Sequence, residues 1–367
     1  MHIGRIEAAG ARTRHNGPTT RLLRTDETSL KPGPIGLIAF LGAPLVAGAL
    51  FVAAYRGPMR SPGGIVLLRS GIGARGVAAE LEASGVVSHP RLFQLFARLA
   101  KVDRHLKAGR YAIPPNLSIA SLLDLLRQGP NVRERVTIPE GSRANQIAAL
   151  LASAADIDSG AFLALVEDSS AAERFGVPGP TLQGYLFPET YELLWGTPPD
   201  DVVELLVQQY RKVMTPAFLA RADSLGMDER QIVTLASIVE AETSLPEERA
   251  RVSAVYHNRL NSGWNLEADP TVRYATGNES GEITLAELSC DSRYNTYKYL
   301  GLPPGPIGNP GRASIVAALF PAEGCRDFFF VANGRGGHSF SSNVEDHRRA
   351  AAAWRRREQG ERQQFAP

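Results

Sequence analysis

A chain of 367 residues is long enough for two ordinary domains. With 44% hydrophobic and 21% charged residues it reads as mostly globular, and a net charge of +2 gives no reason to expect nucleic acid as a partner. Two cysteines, Cys290 and Cys325, exclude a disulfide-dense scaffold and a multi-cysteine metal site, and a mean hydropathy near zero excludes a polytopic membrane protein while leaving room for one span.

Residues 1–33 hold Arg5, Arg12, Arg14, Arg21, Arg24 and Lys31 among Thr and Gly without periodicity, and read as a disordered cytoplasmic tail. From Pro34 to Tyr55 no charge occurs. As a helix this stretch is about 33 Å long, enough to cross a bilayer core. A cleaved signal peptide competes, but its apolar region should be shorter, nearer Met1, and followed by a small-x-small site. A buried core helix is the blander alternative. The reading is a single-pass anchor at 34–55 in the inner (plasma) membrane. Its slight positive-inside bias puts the carboxy-terminal part in the periplasm. Residues 56–64, RGPMRSPGG, read as a flexible linker.

A small α+β module is expected over 65–136. Ile65–Arg69 suits a strand, and Gly71–Gly76 (GIGARG) matches the dinucleotide-binding pattern G-x-G-x-x-G. That match is rejected, because the second parallel strand it requires is replaced by an amphipathic helix at Pro90–Ala100. Extended segments at Ala108–Ile113 and Glu134–Ile138 flank a helix at Ser118–Gln128. The module lacks a cluster of His, Cys or paired acids, so binding or positioning suits it better than chemistry.

Residues 137–357 carry the chemistry, with helices expected over about 143–262, strands near 270–340, a last helix at about 343–357 and a tail at 358–367. Asp228 and Gln231 form a capping box for a helix running to Glu242. Leu235, Val239, Ile232, Ala236 and Val233 make one apolar arc, with Glu240 inside it and Glu242 near its other edge. A carboxyl on an apolar face is costly when ionised, so its pKa rises toward the value a general acid needs. The bland alternative pairs it with Arg249, Arg251 or Arg259. Periodicity does not choose between Glu240 and Glu242. His257, His338 and His347 fit no metal-ligand spacing, no Gly-x-Ser-x-Gly elbow occurs, and Cys290 and Cys325 suit a disulfide or two thiols equally.

Several ordered blocks then resemble a known family. They are Thr137–Gly141 (TIPEG), Leu182–Tyr191 (LQGYLFPETY), Ala236–Thr243 (ASIVEAET), Glu248–Leu260, Asp269–Tyr274 (DPTVRY), Tyr294–Tyr297 (YNTY), Gly301–Ile307 with Asn309–Gly311, and Phe330–Phe340 (FVANGRGGHSF). In this order they are similar to the YceG-like endolytic murein transglycosylases (MltG), over roughly residues 65–355. The resemblance implies a larger α+β YceG-like catalytic domain, a LysM-like module contacting peptidoglycan, and cleavage of the β-1,4 bond between N-acetylmuramic acid and N-acetylglucosamine to leave a 1,6-anhydro end. It implies no cofactor or metal, and it brings peptidoglycan synthases (penicillin-binding proteins) in as partners. The family's catalytic glutamate falls on Glu240, acting as acid and then base. Gln183 departs from the acidic residue many relatives carry.

Within the matched blocks, Asn295, Tyr297, Asn309 and His338 sit in loop contexts suited to substrate contact, with ordinary turn roles as the alternative. Tyr185 and Tyr274 suit stacking on sugars or burial in a core. Glu189 and Asp269 are candidate second carboxylates or simple caps. A non-catalytic wall-binding scaffold is the competing reading of the whole chain.

Overall fold

The computed structural model describes residues 34–69, 71–279 and 281–364, with side chains described from 42 to 357 apart from 70 and 280. The expected tail at 1–33 lies outside the described residues. The chain divides into one unit ending at Tyr55 and a second from Arg56 onward. In the first, helix α1 spans Pro34–Arg56, where the uncharged run predicted it. Among the described residues no helix is long and apolar enough to cross a membrane. The side chains of 34–41 fall outside that set, so the expected span is only partly covered.

The second unit opens with β1 (Gly64–Leu68), α2 (Gly73–Ala83), α3 (Pro90–Leu99) and β2 (Gly109–Ile113). The strands pair antiparallel from Gly64↔Ile113 to Leu68↔Gly109. Alternation places Val66 and Leu68 inward, where they meet Val77, Leu81, Phe93 and Phe96 in a closed apolar core. Helix α3 occupies the place a dinucleotide fold needs for its second strand. Helix α4 (Ile119–Gln128) closes the module, and Ser118 caps it by accepting from Ser121 N–H at 3.1 Å. The supposed linker is not free. Met59 N–H donates to Leu117 O at 3.1 Å and Asn116 N–H to Ser61 O at 3.1 Å, so the segment is laid along the module.

The boundary expected at 136/137 cuts a strand. β3 (Arg133–Thr137) pairs antiparallel with β4 (Thr190–Leu194), so it belongs to the larger domain. Between them run α5 (Ala144–Ala155), α6 (Ser159–Glu167) and α7 (Ser169–Arg174). Then come α8 (Pro199–Val213), α9 (Pro216–Ser224), α10 (Glu229–Glu242) and α11 (Pro246–Asn261). Helix α10 is the core element: Ile232 through Val239 are all buried. Its capping box forms as expected, with Asp228 Oδ1 accepting from Gln231 N–H at 2.7 Å and Gln231 Oε1 from Asp228 N–H at 2.8 Å. The stretch expected to hold strands is largely helix and loop: α12 (Asp269–Thr276), α13 (Leu285–Leu288) and α14 (Arg312–Leu319) precede the single hairpin β5 (Phe329–Ala332) and β6 (His338–Ser341). Short Gly/Pro-punctuated apolar runs suit either state, and packing against α10 and α11 selects helix for α14. Helix α15 runs from Val344 to Gln364. The architecture is mixed α/β and mainly helical. Both cysteines are free thiols.

Candidate active site

The last turn of α10 carries two glutamates two positions apart, which a helix points in directions about 200° different. Their surroundings differ accordingly. Glu240, with a side chain 6% exposed, pairs with Arg249 Nη2 at 3.1 Å through Oε1. Its Oε2 accepts from the backbone N–H of Gly311 at 2.9 Å. Arg249 also stands 3.8 Å from Glu140, whose carboxyl is pushed up by burial and by the charge of Glu240, with Arg249 opposing. Gly311 leaves room for the Glu140 carboxylate, which would have to move aside for a Cβ at that position. Both oxygens of Glu240 therefore meet cationic or N–H donors.

Glu242 has the opposite setting. Its Oε1 accepts from Tyr256 Oη at 2.5 Å, from the neighbouring helix α11. Burial pushes its pKa up to about 7; the Tyr256 hydrogen bond and Arg259 oppose the rise, and the charge of Asp269 adds to it. Tyr256 is itself held well above its ordinary value by burial and by Glu242, so it stays a hydroxyl donor.

Open space adjoins Glu242 on two sides. A cavity of about 310 Å³ is lined by Glu242, Tyr256, Arg259, Asp269, Tyr297 and His338. A second, of about 320 Å³, is lined by Glu242, Asp269, Arg143, Gln146 and Arg273. The second shares Gly141, Gln146 and Ala241 with a third of about 890 Å³ beside Glu140 and Glu240. The first two share Glu242 and Asp269 as lining, so the three adjoin one another as a trough, with Glu242 lining two of its parts and Glu240 the third. Arg259 holds one wall: its Nη1 donates to Leu266 O at 2.9 Å and to Glu267 at 3.0 Å, and its Nε to Phe328 O at 2.7 Å. This fixes the loop that leads into α12 and Asp269.

Residues 66–353 match the family described as YceG-like family. The chain belongs to the YceG-like family. It is 27% identical over 301 residues to a protein of Bacillus subtilis (strain 168) named endolytic murein transglycosylase, covering 77% of this chain and 82% of that one. A protein of the same name from Streptococcus pneumoniae serotype 2 is 29% identical over 307 residues, covering 75% of this chain and 55% of its own, so the chain spans about half the length of that relative. A solved structure of a YceG-like protein from Listeria monocytogenes aligns with a TM-score of 0.54 at 27% identity, over 78% of this chain and 97% of that one.

In this YceG-like chain the trough gathers part of the predicted set. Asp269, at the start of α12, accepts from Tyr297 Oη at 2.6 Å, and both line the space beside Glu242 with His338. Tyr274 lies one layer back: its ring sits 4.8 Å from that of Tyr294 and under the Arg143 guanidinium at 5.2 Å. Four others meet partners elsewhere in the protein. Tyr185 is fully buried, edge-on to Tyr210 at 5.1 Å, so it is core. Asn309 is fully buried and accepts from the N–H groups of Gly184 at 2.8 Å and Leu186 at 2.9 Å, while its Nδ2 donates to Ser142 O at 2.8 Å. Asn295, also buried, donates to Leu288 O at 2.9 Å and Cys290 O at 3.0 Å. Glu189 is exposed beside β4 and accepts from Thr190 N–H at 3.0 Å, lining none of the three cavities. Gln183 accepts from Ala144 N–H at 3.0 Å at the start of α5.

The three histidines have three separate partners: His257 meets Ala318 O at 2.8 Å, His338 meets Glu248 at 2.7 Å, and His347 stacks on Phe329 at 5.1 Å. Sequence reasoning missed Tyr256 and Glu248, while Arg249 was one of the three arginines it offered as a partner for the carboxyl. Their blocks were in view, but periodicity within one helix says nothing about what a second helix places opposite it.

Proposed function

We propose that this chain is an endolytic murein transglycosylase whose proton donor is Glu242 rather than Glu240. The observation that carries the choice is the carboxyl pKa of about 7 at Glu242, beside open space, against the arginine-paired Glu240. A donor must hold its proton near neutral pH and release it when charge develops on the leaving oxygen.

In this reading a glycan strand lies along the trough, with the bond between muramic acid and glucosamine at Glu242. The carboxyl protonates the glycosidic oxygen as the C1–O bond breaks. The muramic C6 hydroxyl attacks C1 and sheds a proton, for which the carboxylate left on Glu242 is one acceptor. No water enters the product, so the 1,6-anhydro end follows from excluding water at C1. Tyr256 steadies the carboxylate once formed, and Tyr297 with Asp269 supplies hydrogen bonds along the wall. Open space adjoining the acid on two sides suits an internal cut in a strand. The relatives' printed names support the substrate, murein, and the endolytic mode.

Helix α1 serves as the single-pass anchor in the inner membrane, with the catalytic domain on the periplasmic side. The module β1–α2–α3–β2, closed by α4, serves as a LysM-like contact to peptidoglycan. Peptidoglycan synthases are partners consistent with action on nascent strands.

The test is a pair of isosteric variants assayed on purified glycan strands by mass spectrometry of the ends. Glu242→Gln is expected to lower formation of anhydro-muramyl ends by about 1,000-fold or more, while Glu240→Gln retains most activity per folded molecule. The reverse pattern returns the role of acid to Glu240.

A further inference from the structure

The hairpin β5–β6 brings a second proton-handling group to the same space as Glu242. Glu248, in the first turn of α11, grips His338 with both oxygens: Oε1 accepts from the His338 backbone N–H at 2.9 Å, and Oε2 meets Nδ1 at 2.7 Å. Both side chains are largely enclosed, 17% and 16% exposed. Gly337 lets the strand come this close, since a Cβ there would reach 2.5 Å from Glu248 Oε1. The ring is set edge-on against Phe330 at 5.3 Å, so it cannot swing freely. A carboxylate only accepts, and the shared proton of a neutral imidazole therefore sits on Nδ1. Nε2 is left with its lone pair, in a side chain that lines the 310 Å³ cavity with Glu242, Asp269 and Tyr297.

We propose that His338, held by Glu248, is the base that takes the proton of the muramic C6 hydroxyl, so that acid and base in this reaction are two different side chains. The proposal rests on the transglycosylase reading and deepens it. When the C1–O4 bond breaks, the proton of Glu242 goes to O4, and the new hydroxyl stays hydrogen-bonded to the carboxylate it came from. One oxygen of that carboxylate is already held by Tyr256. A separate base lets O6 attack before the leaving strand moves away. The O6–C1 bond forms, the O6 proton passes to His338 Nε2, the imidazolium returns it to solvent, and Glu242 regains one from solvent. The atoms balance without water or redox partner. Glu248 is a positioning residue in this scheme: it sets the tautomer and never meets substrate.

The readout is the ratio of anhydro to reducing muramic ends released from glycan strands by the full chain. Activating O6 decides whether C1 is captured internally or by water, and a merely structural role would slow both captures alike. His338→Gln is expected to shift the ratio toward reducing ends by about tenfold or more. Glu248→Gln keeps the ring in place but unsettles the tautomer, and is expected to shift it the same way by less; it also serves if His338→Gln fails to fold. A ratio unchanged from the parent in whichever variant still cleaves overturns the proposal and leaves Glu242 as both acid and base. A parent protein that yields no anhydro ends defeats the transglycosylase reading itself, which is a different result.

Discussion

The hydroxyl of Tyr256 lies 2.5 Å from Glu242 Oε1, joining the end of α10 to the middle of α11. This contact favours the ionised carboxylate, and Asp269 across the trough favours the protonated form. The resting protonation of Glu242 is thus a balance of burial and Asp269 against Tyr256 and Arg259. Moving any of these neighbours shifts the balance in a known direction.

With Glu242 as the proposed proton donor, the rate is expected to fall as pH rises through about 7. Tyr256→Phe removes a bond to the charged form, so the carboxyl pKa rises further and the alkaline limb moves up by about one unit. Asp269→Asn removes a repelling charge, so the limb moves down. Opposite displacements in initial-rate pH profiles are the expected result. Displacement of both in one direction would remove Glu242 as the titrating group.

Glu240 and Arg249 form a buried ion pair. Replacing Glu240 by Gln leaves a buried guanidinium with only the more distant Glu140 for charge, at 3.8 Å. The expected cost is about 2–4 kcal/mol, read from urea unfolding, with Glu140 keeping the loss toward the lower end. The double variant Glu240→Gln with Arg249→Met should recover part of it, since no unpaired charge remains.

Asn309 pins three loops with one side chain. Asn309→Ala strands the buried N–H groups of Gly184 and Leu186, while Ser142 O keeps its bond from the backbone N–H of residue 309, at an expected cost of about 3 kcal/mol. The loss should appear in thermal unfolding. The apparent affinity for a murein fragment should be nearly unchanged in the fraction that stays folded, which separates this role from substrate contact.

The two glutamates illustrate what was readable beforehand. The capping box at Asp228 and Gln231 and the apolar arc of α10 follow from local spacing, and both appear as expected. The same spacing put Glu240 inside that arc and Glu242 near its edge and went no further. Asn295, Asn309 and Tyr185 lie in blocks shared with the family, yet their partners are backbone groups and a core ring. Shared blocks mark residues that matter without separating those that touch substrate from those that hold loops.

The amino-acid order alone determined where helices start, which faces are apolar, that an uncharged stretch long enough for a membrane helix stands near the beginning, and which family the chain resembles. These depend on neighbours within a few positions, where helix and strand periods act. Only the tertiary structure decided that Arg249 and Gly311 engage Glu240, that Tyr256 and Asp269 set the proton on Glu242, and that Glu248 orients His338. A carboxyl's affinity for its proton is set by desolvation and by charges within a few ångströms, and those come from helices, loops and strands far apart along the chain.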